Sequence, residues 1–476
     1  MSRVHSMLTM TMLALALLNM KVRAEQVEPA HRPIAAVIAG YVQIGIESNL
    51  TLANQTLTSE RARLAVGEAR SQLLPQLELN ARYTSNSGGR EVDVPVASLL
   101  NPAYQTLNQL LLAAGQPARF SPIPDSSFPL LRNHEQDSHL SLRQPLYAPG
   151  LSASVAAARA GAEAAASERN VSARQTRRDI TRSYLATQKA HAAADIVASG
   201  VTLLEENLRI NESLYANGKL TQDSVLRARA ELLAARQQQL AADSAQRQLD
   251  RALNLMLNRP LDTPIEIAEP GTPETVADAT TNTDGALLLE RALRNRPELK
   301  QADYAGTSAD ERLRAALSRR KPTLALGVDA GTQGADYGSG NRYNYVSGSL
   351  LLQWSLFDGG ARNAAVGSAR LAARQAANAR RQAASGVELE VRTALDGVRL
   401  AADSLQTALA RADAARAAFR IVSRKRDEGA ATQLEFIDAR NALTGAELGL
   451  SWSRYELLEQ RAELQFAAGP AAGDSP

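Results

Sequence analysis

Glu435 and Asp438 are three residues apart, a spacing that places both carboxylates on one face of a helix. Such a pair makes a negative site that draws cations. In a narrow, poorly solvated neck, like charges also raise one another's pKa. On an open helix the same pair is an ordinary solvated surface. Other chemistry-bearing residues are sparse. The five histidines are His5, His31, His134, His139 and His191. His134 and His139 are close enough in sequence to share a metal, but no carboxylate–histidine cluster surrounds them, so they read as loop or strand surface. There is no cysteine, which removes disulfides, thiolate metal sites, cysteine nucleophiles and lipid attachment through an N-terminal cysteine. No catalytic triad is readable, and neither a P-loop nor a glycine-rich dinucleotide turn is found. The expectation is a protein that is not an enzyme and binds no cofactor and no metal.

The 53 basic and 50 acidic residues nearly cancel and are interspersed. A nucleic-acid binder should carry a basic excess on one face, so no nucleic-acid partner is expected. Aromatics are only 4% and alanine is abundant. That composition suits long helices in close contact better than one globular core.

Residues 1–24 read as a signal peptide. Arg3 and His5 lead an apolar run from Met7 to Met20, and Val22-Arg23-Ala24 offers a small residue before a mature start at Glu25. The apolar run is too short to span a bilayer as a helix, and no other segment is long and apolar enough. An exported chain of this kind can enter a membrane only as a β-barrel.

The chain repeats one plan. Leu74-Pro75-Gln76-Leu77-Glu78-Leu79 is matched by Lys321-Pro322-Thr323-Leu324-Ala325-Leu326. Leu146-Tyr147-Ala148-Pro149-Gly150 is matched by Leu356-Phe357-Asp358-Gly359-Gly360. Asn217-Gly218 and Glu428-Gly429 each interrupt a very long helical run. Each half reads helix, strand, loop, strand, long helix, glycine break, helix. The first half carries an insertion, rich in Pro, Ser and Asn, that reads as a long loop over 85–132, with a short helix within Leu99 to Leu112.

In the strand Gln76 to Thr84, Leu77, Leu79, Ala81 and Tyr83 alternate with polar residues, so one face is apolar and the other polar. The partner segments are His139 to Leu146, Thr323 to Gly331 and Val346 to Leu356, the last with Trp354 and Leu356 on its apolar face. In an exported protein this pattern suits an outer-membrane barrel, with Leu77, Leu79 and Tyr83 toward lipid and Glu78, Asn80 and Arg82 toward water. A soluble half-buried sheet shows the same alternation. Four strands cannot close a barrel, so copies of the chain must share one.

No proline occurs from Leu151 to Leu257 or from Ala361 to Ala467. A helix from Leu151 to Tyr215 would be about 100 Å long at ~1.5 Å per residue. In the second half, Val387, Val391, Ala394, Val398, Ala401, Leu405, Ala408, Ala412, Ala415, Phe419 and Val422 follow one another in alternating steps of four and three. The first half repeats the spacing from Ile180 through Ser183, Thr187, Ala190, Ala194, Val197 and Val201 to Leu204 and Leu208. That period imposes coiled-coil packing. Pro149-Gly150 and Asp358-Gly359-Gly360 would form the sharp strand-to-helix turns, using glycine's conformational freedom.

Trp354-Ser355-Leu356-Phe357-Asp358-Gly359-Gly360-Ala361-Arg362, and Gly429 through Thr432-Gln433-Leu434-Glu435-Phe436-Ile437-Asp438 to Arg440, resemble the signatures of the TolC-type outer-membrane efflux family. The duplicated layout extends the resemblance over essentially the whole mature chain. The resemblance implies a passive outer-membrane channel-tunnel of a tripartite efflux or type I secretion system. It implies a mostly α chain with a transmembrane β-barrel. Each chain of a homotrimer would contribute four of twelve strands, and duplicated coiled-coil hairpins would form a periplasmic tunnel. It implies a periplasmic adaptor (membrane fusion protein) and an inner-membrane pump of RND or ABC type as partners, and outer-membrane lipid around the barrel. By the same resemblance, Asn217, Gly218, Lys219, Leu220, Glu428, Gly429, Ala430 and Ala431 are adaptor-docking hairpin tips, and Glu435 with Asp438 gates the periplasmic aperture. Ser224 and Arg227 occupy the duplicated positions of that pair. Ala431 stands where family members carry a latching arginine; Arg426, Arg227 and Arg229 are nearby cations that could take its part.

The expected layout is a signal peptide at 1–24, an N-terminal segment and first-half tunnel helix at 25–74, and barrel strands at 75–147, with an extracellular loop at 85–132. Long helices follow at 148–258 with a tip near 218, then an equatorial linker at 259–285 with a short strand at Pro264 to Ile267. The second half has a helix at 286–321, strands at 322–357, long helices at 358–467 with a tip near 429, and a disordered tail at 468–476. The competing reading is an exported coiled-coil structural or adhesion protein of the cell surface, which would not need paired amphipathic strands in both halves.

Overall fold

A computed structural model describes residues 32–268, 284–338, 340 and 342–470. The expected signal peptide, most of the inter-half linker and the tail from 471 onward lie outside the described residues, as do His5 and His31. The described chain forms two units: one from residues within 1–61, 163–305 and 376–476, the other from residues within 62–162 and 306–375. The first is helical; the second holds the sheet.

Proline-free, alanine-rich sequence produces the long helices. The expected tunnel helix before the first strand is two helices, α1 (Ile34–Ser48) and α2 (Leu50–Ser71). They break at Asn49, whose extended backbone lets its Oδ1 accept from Leu52 N at 3.1 Å. The second-half counterpart is also split, into α6 (Gly285–Asn295) and α7 (Pro297–Ser318). Pro297 is the cause: it suits a first helical position and pushes Arg296 into extended backbone. The remaining long helices are α4 (Pro149–Ala216, 68 residues), α5 (Gln222–Met256), α8 (Ala361–Asp427, 67 residues) and α9 (Gln433–Ala468).

The three-four spacing marks the packed seams. Every position of the second-half run from Val387 to Leu405 is buried, and Ala412 with them. Val398, Ala401, Leu405 and Ala412 of α8 pack on Ala446, Leu450 and Leu457 of α9. Val201 and Leu204 of α4 pack on Leu232 and Ala235 of α5. α4 and α9 run antiparallel without slipping: Arg182 Nε meets Glu459 at 2.9 Å, Lys189 sits 5.6 Å over the Trp452 ring, and Arg440 packs against Gly200. At Gly200 a Cβ would collide with the Arg440 guanidinium, so the absent side chain is what admits it.

The segment Pro264 to Ile267, expected as a strand, forms none. It is held as an extended strap: Glu266 N donates to Tyr41 Oη at 2.8 Å, and Tyr184 Oη donates to Glu266 O at 3.1 Å. Ile265 and the buried Ala268 complete a core with Val37, Tyr41, Ile180, Tyr184, Leu253 and Leu257.

In the sheet unit, β1 (Gln76–Ser85), β4 (His134–Tyr147), β5 (Thr323–Gly334) and β6 (Asn344–Gln353) form one antiparallel sheet in the order β1-β4-β5-β6. Alternation alone extends the last strand to Leu356. It stops at Gln353 because Gln353 pairs with Thr323, the first residue of β5, and Pro322 before it has no N–H to continue the ladder. Trp354 instead donates its indole N–H to Arg320 O at 3.2 Å. The stretch 85–132 carries the helix expected within Leu99 to Leu112, in a longer form as α3 (Val96–Ala113), and an unexpected two-stranded ribbon, β2 (Glu91–Val94) with β3 (Ser126–Pro129).

One buried ion network sits within the helical unit. Arg296, only 3% exposed, grips Glu298 with Nε and Nη2 at 3.1 and 2.9 Å and donates Nη1 to Glu390. Arg174 donates Nη1 to the same Glu298 at 3.1 Å, while Arg174, Arg178 and Arg296 surround the Phe466 ring. Burial works against the Glu298 carboxylate, but the hydrogen bonds and charge of Arg296 outweigh it and hold its pKa below the ordinary value. A depressed carboxylate contributes stability above its unfolded pKa of about 4.3, and that contribution is lost as pH falls through the folded value. Replacing Arg296 by Met should cost about 1.5–3 kcal/mol, because it takes two charge-assisted hydrogen bonds from the largely buried Glu298, which keeps only Arg174 as a partner. Urea unfolding at pH 7 checks this, and the penalty should shrink as pH falls below the ordinary carboxylate range, because a Glu298 without Arg296 takes up a proton more readily.

Candidate functional site

Register turns the alternation of β1 into two continuous surfaces. Leu77 lies beside Leu142, Val328 and Gly348, and Leu79 beside Leu140, Ala330 and Val346. Leu326 lies beside Leu350, and Tyr147 beside Leu324 and Leu352. This face is apolar and uncovered: Leu79 is 70% exposed and Val346 79%. On the other face, Glu78 lines up with Ser141, Asp329 and Ser347, and Asn80 with His139, Gly331 and Tyr345. Gln136 interrupts the apolar face beside Tyr83; it is buried and donates to Thr332 Oγ1 at 3.3 Å.

The mainly apolar rows run from Tyr147 to Leu79, about 20 Å along the strands at ~3.3 Å per residue. The next row is polar across the sheet, with Ser138, Thr332 and Asn344 beside Ala81, and Tyr83 lies beyond it. Leu77, Leu79 and Tyr83 thus lie on the uncovered apolar face, with Glu78, Asn80 and Arg82 opposite.

The histidines are engaged separately. His134 Nδ1 is 3.1 Å from Tyr83 Oη, and His139 Nδ1 is 2.9 Å from Asp137 Oδ1. Among the described residues, no group of three or more His, Asp or Glu side chains is placed to hold a metal, and no helix is long and apolar enough to cross a membrane.

The two strand-to-helix passages differ. Gly359 and Gly360 adopt left-handed φ of 63° and 92°, as the turn requires. Asp358 accepts from Gly360 N and Arg362 N at 3.2 and 3.1 Å, and its Oδ2 pairs with Arg362 Nε at 2.7 Å. At Pro149-Gly150, expected as the matching turn, the strand also passes directly into the helix, but without a left-handed glycine. Both residues belong to the first turn of α4, and only Ala148 separates them from β4. Pro149 fits there because a first helical residue needs no N–H partner.

The two hairpin tips share one geometry. Gly218 and Gly429 have left-handed φ of 71° and 75°. Lys219 N returns to Leu214 O at 2.9 Å and Ala430 N to Lys425 O at 2.7 Å, closing each helix with a Schellman-type bond. Asn217 donates its amide to Ser213 O at 2.7 Å, and Leu220, Glu428 and Ala431 complete the turns.

Glu435 and Asp438 are both exposed on α9, while Phe436 and Ile437 between them are buried. Glu435 has a second engagement that its spacing from Asp438 does not reveal. Thr432 Oγ1 accepts from Glu435 N at 3.2 Å, and the Glu435 carboxylate accepts from Thr432 N at 2.7 Å. This is a capping box, legible as Thr-x-x-Glu before a helix. The backbone N–H of Thr432 and then its hydroxyl hold the Glu435 pKa below the ordinary value. In the first-half tip, Ser224 faces Thr221 instead, Oγ to Oγ at 3.3 Å. The cations named as possible latches are occupied within the chain. Arg229 pairs with Glu212 at 2.9 Å, Arg227 with Asp223 at 3.7 Å, and Arg426 stacks 4.0 Å over Phe436.

The described chain thus combines an amphipathic antiparallel sheet, open at both edges, with two pairs of long helices that follow β4 and β6 in sequence. The chain matches the model of the outer membrane efflux protein family over residues 42–259 and 288–470, and it belongs to that family of the outer membrane. No curated protein sequence matches it at a significant level. Among solved structures, CusC is 16% identical with a TM-score of 0.75, covering 92% of each chain. VceC, an outer membrane protein of Vibrio cholerae, is 17% identical with a TM-score of 0.73, covering 91% of this chain and 96% of that one. The open state of the MtrE outer membrane channel of Neisseria gonorrhoeae is 18% identical with a TM-score of 0.71, covering 91% and 89%.

Placing a cation on a lipid-facing apolar surface costs about 2–4 kcal/mol at mid-bilayer and less toward its borders. Leu79→Arg should therefore lower the amount of folded protein recovered from outer membranes, while Asn80→Arg on the polar face should not. Equal recovery of the two variants would show that the faces are assigned wrongly.

Proposed function

We propose that three copies of this chain share one twelve-stranded barrel and form a passive exit duct of a tripartite efflux or type I secretion system. The observation that carries this reading is the four-stranded sheet itself. Among the described residues its edge strands β1 and β6 have no second partner, one face is largely apolar and uncovered, and the other is polar. About eight strands are the practical minimum for closure, and a closed ring satisfies both edges at once. The helical hairpins would then enclose a periplasmic passage. Their tips, with Gly218 and Gly429 at the turns, would meet a periplasmic adaptor bound to an inner-membrane pump of RND or ABC type. That pump would supply the energy.

Glu435 and Asp438 would line the periplasmic mouth, where three copies bring six carboxylates around one axis. The capping box constrains the test. Glu435→Ala would remove a charge and also loosen the helix start, at about 1 kcal/mol for a lost cap. Glu435→Gln keeps an acceptor for Thr432 N, and Asp438→Asn removes charge only. In planar bilayers, the Glu435→Gln/Asp438→Asn variant should lose cation selectivity and lose block by multivalent cations. Unchanged selectivity and block would exclude both side chains from the pore.

The docking role is tested separately. Gly429→Val should strain a left-handed turn that β-branched residues avoid, leaving the protein in the outer membrane but stopping export. Normal export of the cargo or toxicant that the unaltered protein handles would rule out this tip as a docking element.

A further inference from the structure

The insertion between β1 and β4 is a built element with one face left over. α3 has no charged side chain in its 18 residues. Asn101 bonds Ile123 through both ends of its amide, at 2.9 and 2.8 Å. Asn108 likewise donates to Phe120 O at 2.7 Å and accepts from Phe120 N at 3.1 Å, and the Tyr104 and Phe120 rings are 5.2 Å apart. These residues recur every three or four positions, so one face of α3 is committed to the returning chain. Leu100, Ala103, Leu107 and Leu110 recur with the same spacing on a second face, with Leu99 beside them. Among the described residues that face is left largely open: Leu99 and Leu110 keep 70% and 64% of their surface, Leu100 and Leu107 keep 41% and 43%, and α3 has no buried residue.

We propose that this leucine face packs against the same face of two further copies, making a three-helix collar at the end of the barrel remote from the long helices. The inference rests on the trimeric reading above. Two observations select this occupant. α3 is inserted at the far end of the β1–β4 hairpin, since β1 starts after α2 and β4 leads into α4. β1 is also an open edge of the sheet, so copies joined edge to edge carry their α3 helices around one axis. A helix lying on an anionic lipid surface should instead present Lys or Arg beside its apolar stripe, and α3 has neither.

The chain has no cysteine, so single-cysteine variants report on one position each. L107C and L110C place a thiol on the leucine face, and Q105C places one on the opposite side of the helix. Each full-length variant is treated in outer-membrane vesicles with a short bismaleimide. In a closed trimer, about two of every three chains can end as covalent dimers. The collar predicts that yield for L107C and L110C, with Q105C left monomeric. An oligomer that survives on unheated gels while L107C and L110C stay uncrosslinked would overturn the collar and leave the trimer standing. Quenching of a fluorophore at position 107 by spin-labelled lipid would then assign the face to the membrane. Equal crosslinking of Q105C would also overturn the proposal. Absence of any oligomer would remove the trimeric reading and the collar with it.

Discussion

Everything in this protein depends on a sheet that cannot satisfy itself. β1 and β6 each present a row of backbone N–H and C=O groups without a partner strand among the described residues, and in a membrane such groups have no water to bond. The same sheet exposes leucine and valine on one face, from β1 and β4 through to β6. In water, an edge and a patch of this kind would drive aggregation. In a bilayer, joined to copies of itself as proposed above, the sheet would be satisfied on every side. The polar face, with Glu78, Asp329 and His139, would then bound an aqueous lumen.

The helices meet a different constraint. Elements of 67 and 68 residues stay ordered only if their seams keep register over their whole length. The alternating four and three steps provide that, and small residues set how close the helices come. Arg440 against Gly200 and the Arg296–Glu298–Arg174 network show the two ways in which charge is accommodated between these helices. One uses a missing side chain and the other uses paired charge. Glycine has a separate task at Gly218, Gly429, Gly359 and Gly360, where the backbone is left-handed.

The sequence was legible where a period governs structure. The strand alternation, the coiled-coil run from Val387 to Val422 and both glycine breaks correspond to observed elements. It was misleading where a neighbour decides the outcome. The end of β6 cannot be judged from alternation alone, because it is set by Thr323 and Pro322 across the ladder; Trp354 and Leu356 therefore fall outside the strand. Pro264 to Ile267 looks like a strand, but Tyr41 and Tyr184 bond its backbone in place of a neighbouring strand. In the insertion, the side-chain amides of Asn101 and Asn108 hold a helix and its return segment together, a use of asparagine that composition reads only as loop. At the acidic pair, spacing indicated a shared face but concealed the capping role of Glu435, although Thr432 three residues earlier carried the signal.

The central claim is that closure of the sheet requires three chains. Native mass spectrometry of the full-length protein, released from outer membranes in mild detergent, counts them directly. The account predicts an assembly of three chains. A folded, membrane-extracted species containing one or two chains would contradict it.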